Sequence, residues 1–297
     1  MDNFPLPAKN HNAFIVHRVL DHGFIRLVDS MPSPTDAESL SMDSAIAQAA
    51  RTSYGKGTKS VSEDKALINY LMKHRHTSPF EMVELKFHCR MPIFVARQWI
   101  RHRTASVNEY SARYSEVPDI FYKPEDAAIL GQSKNNKQGS EGNILDKDKE
   151  YFGSKISTIS SESYEAYQES LNKGISRETA RMLLPVNYYT EWYWKIDLHN
   201  LFRFISLRAD HHAQMEIRVY AEKILEICRQ LAPVSTEAFE NHMMNSISIS
   251  REDFDIYKNL IDFNNINSKL QSLFESKNWN NRKKQEFINN LNKIKDC

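Results

Sequence analysis

The densest group of chemically capable side chains lies in residues 97–114, R-Q-W-I-R-H-R-T-A-S-V-N-E-Y-S-A-R-Y. Arg97, Arg101, Arg103 and Arg113 stand there against one acid, Glu109, for a formal charge of +3. Guanidinium forks, hydroxyls and backbone N–H groups at a helix-to-loop junction suit phosphate oxygens. Each charge-assisted hydrogen bond of this kind contributes roughly 1.5–3 kcal/mol. A solvated face or an ion-pair network, with Glu109 merely spacing the arginines, would use the same residue types. The admixture of His, Ser and Asn favours a nucleotide.

Other chemistries find less support. No G-x-G-x-x-G and no G-x-x-x-x-G-K occurs, so a Rossmann site or P-loop is not indicated. Cys89, Cys228 and Cys297 form no C-x-x-C and suggest no disulfide framework, which makes a reducing cytoplasm the expectation. Cys89 and Cys228 fall on apolar faces and Cys297 ends the sequence, so none has the electropositive, accessible setting of a reactive thiol. His74, His76, His88, His211 and His212 match no standard ligand spacing, which argues against a metal-dependent hydrolase. A net charge of +1 excludes binding nucleic acid by bulk charge. A single-strand binder stacking bases on Trp99, Tyr110 and Tyr114 is the alternative reading of the arginine cluster. No apolar run approaches the ~18 residues of a membrane span, and the first residues carry no signal pattern.

The elements that must position these residues follow from periodicity. At 41% apolar and 26% charged the chain has enough apolar surface for a core. Residues 36–50 and 62–74 read as helices. Val83, Leu85, Phe87 and Cys89 alternate with polar residues, the pattern of a half-buried strand. Pro92 suits the first turn of a helix carrying Phe94, Val95 and Trp99 to about Arg101. Residues 106–111 read as a loop. Val186, Tyr188, Thr190, Trp192, Trp194 and Ile196 write a second strand, after which Asp197 caps a helix with the stripe Leu198, Leu201, Phe202, Ile205. Residues 213–231 form an amphipathic helix through Ile217, Ala221, Ile224, Cys228 and Leu231. Three of the eight glycines fall in residues 131–150, which read as a solvated surface insertion. Residues 241–297, with 12 Asn and neither Pro nor Gly, read as a helical appendage with amphipathic stretches near 266–275 and 282–294. The expected class is α+β, a mixed or antiparallel sheet packed with helices, with a main domain over 1–240 and the appendage over 241–297.

The string R-H-R-x-x-S-x-N-E-x-S-x-R-Y resembles the signature of the flavin-dependent thymidylate synthases. Arg101, His102, Arg103, Ser106, Asn108, Glu109, Ser111, Arg113 and Tyr114 fill its nine specified positions. R-T-S-Y at 51–54, H-x-S-P-F-E at 76–81, Ala180-Arg181, Leu207-Arg208-Ala209-Asp210 and His212-Ala213-Gln214 resemble other family segments, over roughly residues 20–235. The resemblance implies conversion of dUMP to dTMP, with 5,10-methylenetetrahydrofolate as carbon donor, FAD as hydride carrier and NADPH as reductant. It also implies a homotetramer whose active sites are shared between subunits, and a nucleophile other than cysteine.

By the same resemblance, dUMP falls to Gln98, Trp99, Ile100, Arg101, Glu109, Tyr110, Ser111, Ala112, Arg113, Arg181 and Arg208. Arg208 is the catalytic candidate: a fixed positive charge against the uracil ring would stabilise negative charge developing there. FAD falls to Ser53, His76, Ser78, Glu81, Arg101, His102, Arg103, Thr104, Glu109, Asp197, His199 and His212, and helical periodicity rather than the resemblance adds Arg203. Position 82 departs from the family, holding Met82 where a histidine is usual.

Plain structural alternatives stand beside several of these. Ser78 and Glu81 form a capping box on paper, with Pro79 at the first helical position. Asp197 is a helix cap, and His76 in H-R-H suits an exposed loop. Arg208 projects near a buried side and would need an ion pair, with Asp210 or Glu216 in reach. Arg181 lies one turn into a helix that Ser176 would cap, near its electropositive end. Arg203 lies one turn on from His199.

Overall fold

The structure, a computed structural model, describes residues 15–33, 40–52, 61–134, 137, 139–260, 270, 273–277, 279 and 281–296. The chain divides into two compact units, Met1–Asn245 and Ser246–Cys297. Among the described residues no helix is long and apolar enough to cross a membrane.

Among the described residues, seven strands belong to the first unit: β1 (Ile15–Val19), β2 (Gly23–Met31), β3 (Glu84–Pro92), β4 (Ser106–Glu109), β5 (Leu130–Gln132), β6 (Ser140–Asn143) and β7 (Tyr189–Asp197). Five form one antiparallel sheet in the order β1-β2-β3-β7-β4. Alternation in β3 buries Leu85, Phe87, Cys89 and Met91 on one face. In β7 the same logic buries Trp192, Trp194 and Ile196. Each such side chain contributes about 1.5–3 kcal/mol on leaving water.

That face is covered by helices. They are α1 (Met42–Arg51), α2 (Val61–Lys73), α3 (Ser78–Glu81), α4 (Ile93–Trp99), α7 (Leu198–Arg208), α8 (Met215–Leu231) and α9 (Pro233–Phe239), whereas α5 (Asp146–Asn172) and α6 (Arg177–Ala180) place Tyr167 and Ala180 in a separate small cluster with Ala112 and Val117. Asp197 caps α7 as its sequence implies: its carboxylate accepts from the Asn200 backbone N–H at 2.9 Å. The stripe Leu198, Leu201, Phe202, Ile205 is fully buried, with Phe204 beside it. In α8, Ile217, Ala221, Ile224 and Cys228 are buried as expected. Gly23 opens β2 where a Cβ would stand 2.0 Å from the Tyr220 hydroxyl, so only glycine fits.

Several local expectations are corrected. Residues 106–109 are the edge strand β4, paired with β7 from Ser106↔Lys195 to Glu109↔Trp192, rather than part of a loop. Short polar side chains hide a strand whose partner lies some 85 residues away. Pro92 is the residue before α4 rather than within it, and its side chain caps nothing. The Tyr188 carbonyl accepts from the Ile93 N–H at 2.9 Å and the Val186 carbonyl from the Phe94 N–H at 3.0 Å. This explains why β7 begins at Tyr189, not Val186. The capping box at 78–81 does not form: Thr77 precedes α3 and no side chain caps it. Within 131–150 the exposed hairpin β5–β6 is followed by the first turn of α5, a 27-residue helix with only Ser160 and Tyr167 buried.

In the second unit, α10 (Arg251–Leu260) and α11 (Asn281–Asp296) are helical. Phe274, Trp279 and Phe287 gather with ring centroids 5.7–5.8 Å apart. Most of the stretch expected near 266–275 lies outside the described residues.

Candidate active site

A cleft of about 640 Å³ opens where α4, β4 and β7 meet. Ile93, Ala96, Arg97 and Ile100, one face of α4 at helical spacing, form one wall with Arg101. Glu109, Tyr110, Ser111 and Ala112 follow from β4, Arg181 enters from the turn after α6, and Tyr188 and Trp192 close the back. Arg97, Arg101 and Arg181 are exposed, and none of them is in an ion pair among the described residues. Three guanidiniums beside aromatic rings suit a phosphate attached to a flat ring.

Glu109 spaces no arginines. Its Oε1 accepts from the Thr190 hydroxyl at 2.8 Å, a bond across the β4–β7 pair. Burial raises the Tyr188 phenol above its ordinary range; the charge of Glu109 adds to this and that of Arg181 opposes it.

The sequence-derived set divides around this cleft. Ile100, Arg101, Glu109, Tyr110, Ser111, Ala112 and Arg181 line it. Trp99 does not: its indole is sealed in the core against Trp192, Trp194, Phe204 and Tyr220. Arg113 is outside the lining, in an exposed pair with Glu178 at 3.2 Å. Such a pair contributes about 0–1 kcal/mol and is readily exchanged for a ligand. Arg181 is not near a helix N-terminus. α6 is a single turn without a side-chain cap, and Arg181 follows its end. Arg97, Tyr188, Trp192 and the buried Thr190 were absent from the sequence-derived set. Arg97 lies one turn before Arg101, a signal that periodicity offered.

Arg208 makes no pair with Asp210 or Glu216. Its Nε donates to Nε2 of His102 at 3.0 Å and its Nη2 to the Gln98 carbonyl at 3.2 Å. Gln98 in turn donates its amide to the Gln214 side chain at 2.6 Å. His102 is half-buried, edge-on to Phe204, and pushed down to about 4 by burial and then by the charges of Arg208 and Arg203. Asp210 instead accepts from the His212 backbone and ring, and Glu216 accepts from the Tyr122 hydroxyl.

The flavin candidates come from separate segments. Ser78 and Glu81 are exposed on α3, which packs against α7, bearer of His199 and Arg203. Arg103 and Thr104 are exposed after α4, and His76 is exposed beside the Tyr70 ring at 5.9 Å. Asp197 is engaged with Asn200, and Ser53 lies outside the described residues. Arg203 and Arg208 of α7 act on His102, and Arg101, Arg103 and Arg203 are exposed; guanidiniums of this kind carry the donors a pyrophosphate takes, so the residue types present suit a dinucleotide.

The rival chemistries fare less well. Cys89 and Cys228 are fully buried, and burial raises both thiols, Cys228 to about 12. His88 is held between Arg26 and Glu191, apart from His74 and His76. Among the described residues, the one group with metal-ligand atoms close together is Asp210, His211 and His212, all exposed. With Trp99 buried, the three-ring stacking groove of the nucleic-acid reading is not formed.

An α+β fold whose arginine-walled cleft is backed by aromatic rings, without a Gly-rich loop, defines an enzyme for an anionic, ring-bearing substrate. Residues 37–234 match the family model described as Thymidylate synthase complementing protein. A flavin-dependent thymidylate synthase of Wolbachia pipientis wMel is 53% identical over 265 residues, covering 89% of each chain. One of Dictyostelium discoideum is 50% identical over 260 residues, covering 88% of this chain and 85% of the relative. Among solved structures, the UMP/dUMP methylase PolB of Streptomyces cacaoi bound with 5-Br UMP superposes with a TM-score of 0.67 at 33% identity, covering 77% of this chain and 98% of that one. The chain belongs to this family, the flavin-dependent thymidylate synthases.

Proposed function

We propose that this chain methylates dUMP to dTMP, with carbon from 5,10-methylenetetrahydrofolate and reducing power from NADPH, and without a cysteine nucleophile. The observation that carries the reading is the cleft in which Arg97, Arg101 and Arg181 meet without carboxylate partners among the described residues, beside Tyr188 and Trp192. Two or three charge-assisted hydrogen bonds to a phosphate, at roughly 1.5–3 kcal/mol each, suffice to orient a nucleoside monophosphate. Glu109, fixed by Thr190, is the acceptor among donors and suits an N–H or hydroxyl of the substrate.

FAD, when bound, supplies the hydride. Arg101, His102, Arg103, His199 and Arg203 would hold its phosphates and ring, with Ser78, Glu81 and His76 at the α3 end and His212 beyond α7. Arg208 keeps a positive charge beside the base and favours electron density moving onto the uracil carbonyl edge. The exposed Tyr114, Met182 and Val186 suit a subunit contact, in keeping with a homotetramer that shares its active sites.

The test is tritium release from 5-³H-dUMP with FAD, NADPH and methylenetetrahydrofolate. Arg208→Ala is expected to lower turnover by ~10²–10³, the usual effect of removing one preorganised donor. A wild-type protein that binds flavin yet releases no tritium would refute the reading.

A further inference from the structure

The fourteen-residue motif sends its basic side chains in different directions. Arg101 lines the cleft, while His102 turns back into the protein. The two groups that meet Arg208 come from the end of α4 and the turn after it, and both act on one edge of its guanidinium. Nε is held by the His102 ring and Nη2 by the Gln98 carbonyl. A guanidinium has five N–H donors in a rigid plane. Holding two on one edge fixes that plane and leaves Nη1, with the second hydrogen of Nη2, to meet a ligand.

We propose that His102 is a positioning residue for Arg208: its ring nitrogen Nε2 accepts the Arg208 Nε–H and so sets the direction in which the guanidinium charge is presented. The role rests on the proposed action of Arg208 on the uracil ring. It differs from the flavin contact that the family resemblance gives His102, and it leaves the Nδ1 side of the ring for that contact.

One chemical requirement and two observations support it. An imidazole nitrogen can accept only while it is unprotonated, and a neutral ring accepting at Nε2 carries its hydrogen on Nδ1. The surroundings favour the neutral ring: the charges acting on it are Arg208 and Arg203 of α7, burial works in the same direction, and the shift is downward to about 4. The ring also has an apolar rest, edge-on to Phe204 with centroids 4.9 Å apart, and Phe204 is itself fully buried. An exposed side chain would gain little from such placement. A half-buried arginine held by one carbonyl alone would be free to rotate about it.

Gln98 completes the arrangement. Its carbonyl takes Nη2 while its amide is bonded to Gln214, just before α8. α4, the end of α7 and the start of α8 therefore meet through one residue. Because the carbonyl belongs to the main chain, His102 is the half of the clamp that mutation can remove.

The test uses the FAD-loaded protein and the variants His102→Gln, His102→Ala, Arg208→Ala and the double His102→Ala/Arg208→Ala. Glutamine offers a carbonyl oxygen in place of Nε2, whereas alanine offers nothing. His102→Ala is expected to lower kcat ~10- to 10²-fold, the scale of a roughly 1 Å misplacement, with a smaller change in KM for dUMP. His102→Gln should restore most of that loss, and the double variant should be no slower than Arg208→Ala alone. Because alanine also removes the Nδ1 side, rates are compared per flavin retained, read from absorbance, and the loss in His102→Ala should persist after that normalisation. Multiplying losses in the double variant, or flavin loss that accounts for the whole defect, would overturn the proposal.

A second readout needs no turnover. Hydrogen exchange at the Arg208 Nε–H, followed by NMR on ¹⁵N-arginine protein, should be protected in wild type and His102→Gln and fast in His102→Ala. Equal exchange in all three refutes the contact. Protection lost only in His102→Ala, in a protein that releases no tritium from dUMP, refutes the dUMP reading and leaves the clamp standing.

Discussion

Removing every thiol from the chain tests whether the uracil ring is activated without sulfur. Cys89 lies on the inner face of β3 and Cys228 on the inner face of α8, both fully buried. Burial pushes the Cys228 thiol up to about 12, so at pH 7 the thiolate is present in about one molecule in 10⁵. Cys89 is likewise raised well above its ordinary value, by burial alone. Neither thiol lines the cleft. Serine is the wrong probe at these positions, because an unpaired buried hydroxyl costs about 1–3 kcal/mol. Alanine leaves a small void worth about 1 kcal/mol at each site. Cys297, outside the described residues, is replaced as well. The triple variant C89A/C228A/C297A should melt a few degrees lower and retain turnover per bound flavin within about threefold of wild type, since no step needs the sulfur. Tritium release from 5-³H-dUMP, alongside a thermal melt and flavin absorbance, gives the answer. A folded, flavin-loaded triple variant that forms no dTMP, and recovers when one cysteine is restored, would refute the argument.

Arg181→Ala removes one of the three guanidiniums of the cleft, and losing about 1.5–3 kcal/mol of charge-assisted bonding should raise KM for dUMP at least tenfold with a smaller effect on kcat. Steady-state kinetics decide it, and an unchanged KM would remove Arg181 from the substrate site. The depressed pKa of His102 makes stability depend on pH with a defined sign. The unfolded chain takes up the proton near 6.5 while the folded chain resists until about 4, so wild type loses stability as pH falls through that window. Urea melts at pH 7.5, 5.5 and 4.5 should therefore show wild type losing ground to His102→Gln as pH falls, and parallel losses would contradict the shift. Gly23→Ala places a Cβ 2.0 Å from the Tyr220 hydroxyl, which donates to the Arg90 carbonyl at 2.7 Å. Overpacking there should cost about 1–3 kcal/mol in a denaturant melt while leaving KM for dUMP unchanged; a neutral melt would mean that the β1–β2 turn gives way easily.

Much of the frame was legible because it is written in short periods. The two-residue alternation of Leu85, Phe87 and Cys89, and of Trp192, Trp194 and Ile196, depends on which face of a strand each residue occupies. The cap at Asp197 and the stripes of α7 and α8 are equally local. β4 was not legible, because four exposed residues carry no buried face and become a strand only through β7. α5 escaped for a related reason: a long helix with two buried residues presents almost no apolar stripe.

Within the site, the chain alone determined the stock of chemistry: arginines in excess, one acceptor among them, and Cys89 and Cys228 on apolar faces. Tertiary structure decided the allocation. It drew Arg97, Arg101 and Arg181 to one cleft, left Arg113 outside, buried Trp99, and turned Arg208 onto His102 across 106 positions of sequence. Residue type sets what a side chain can donate or accept, whereas its partner depends on strand pairing and helix packing between distant segments, which no local spacing encodes.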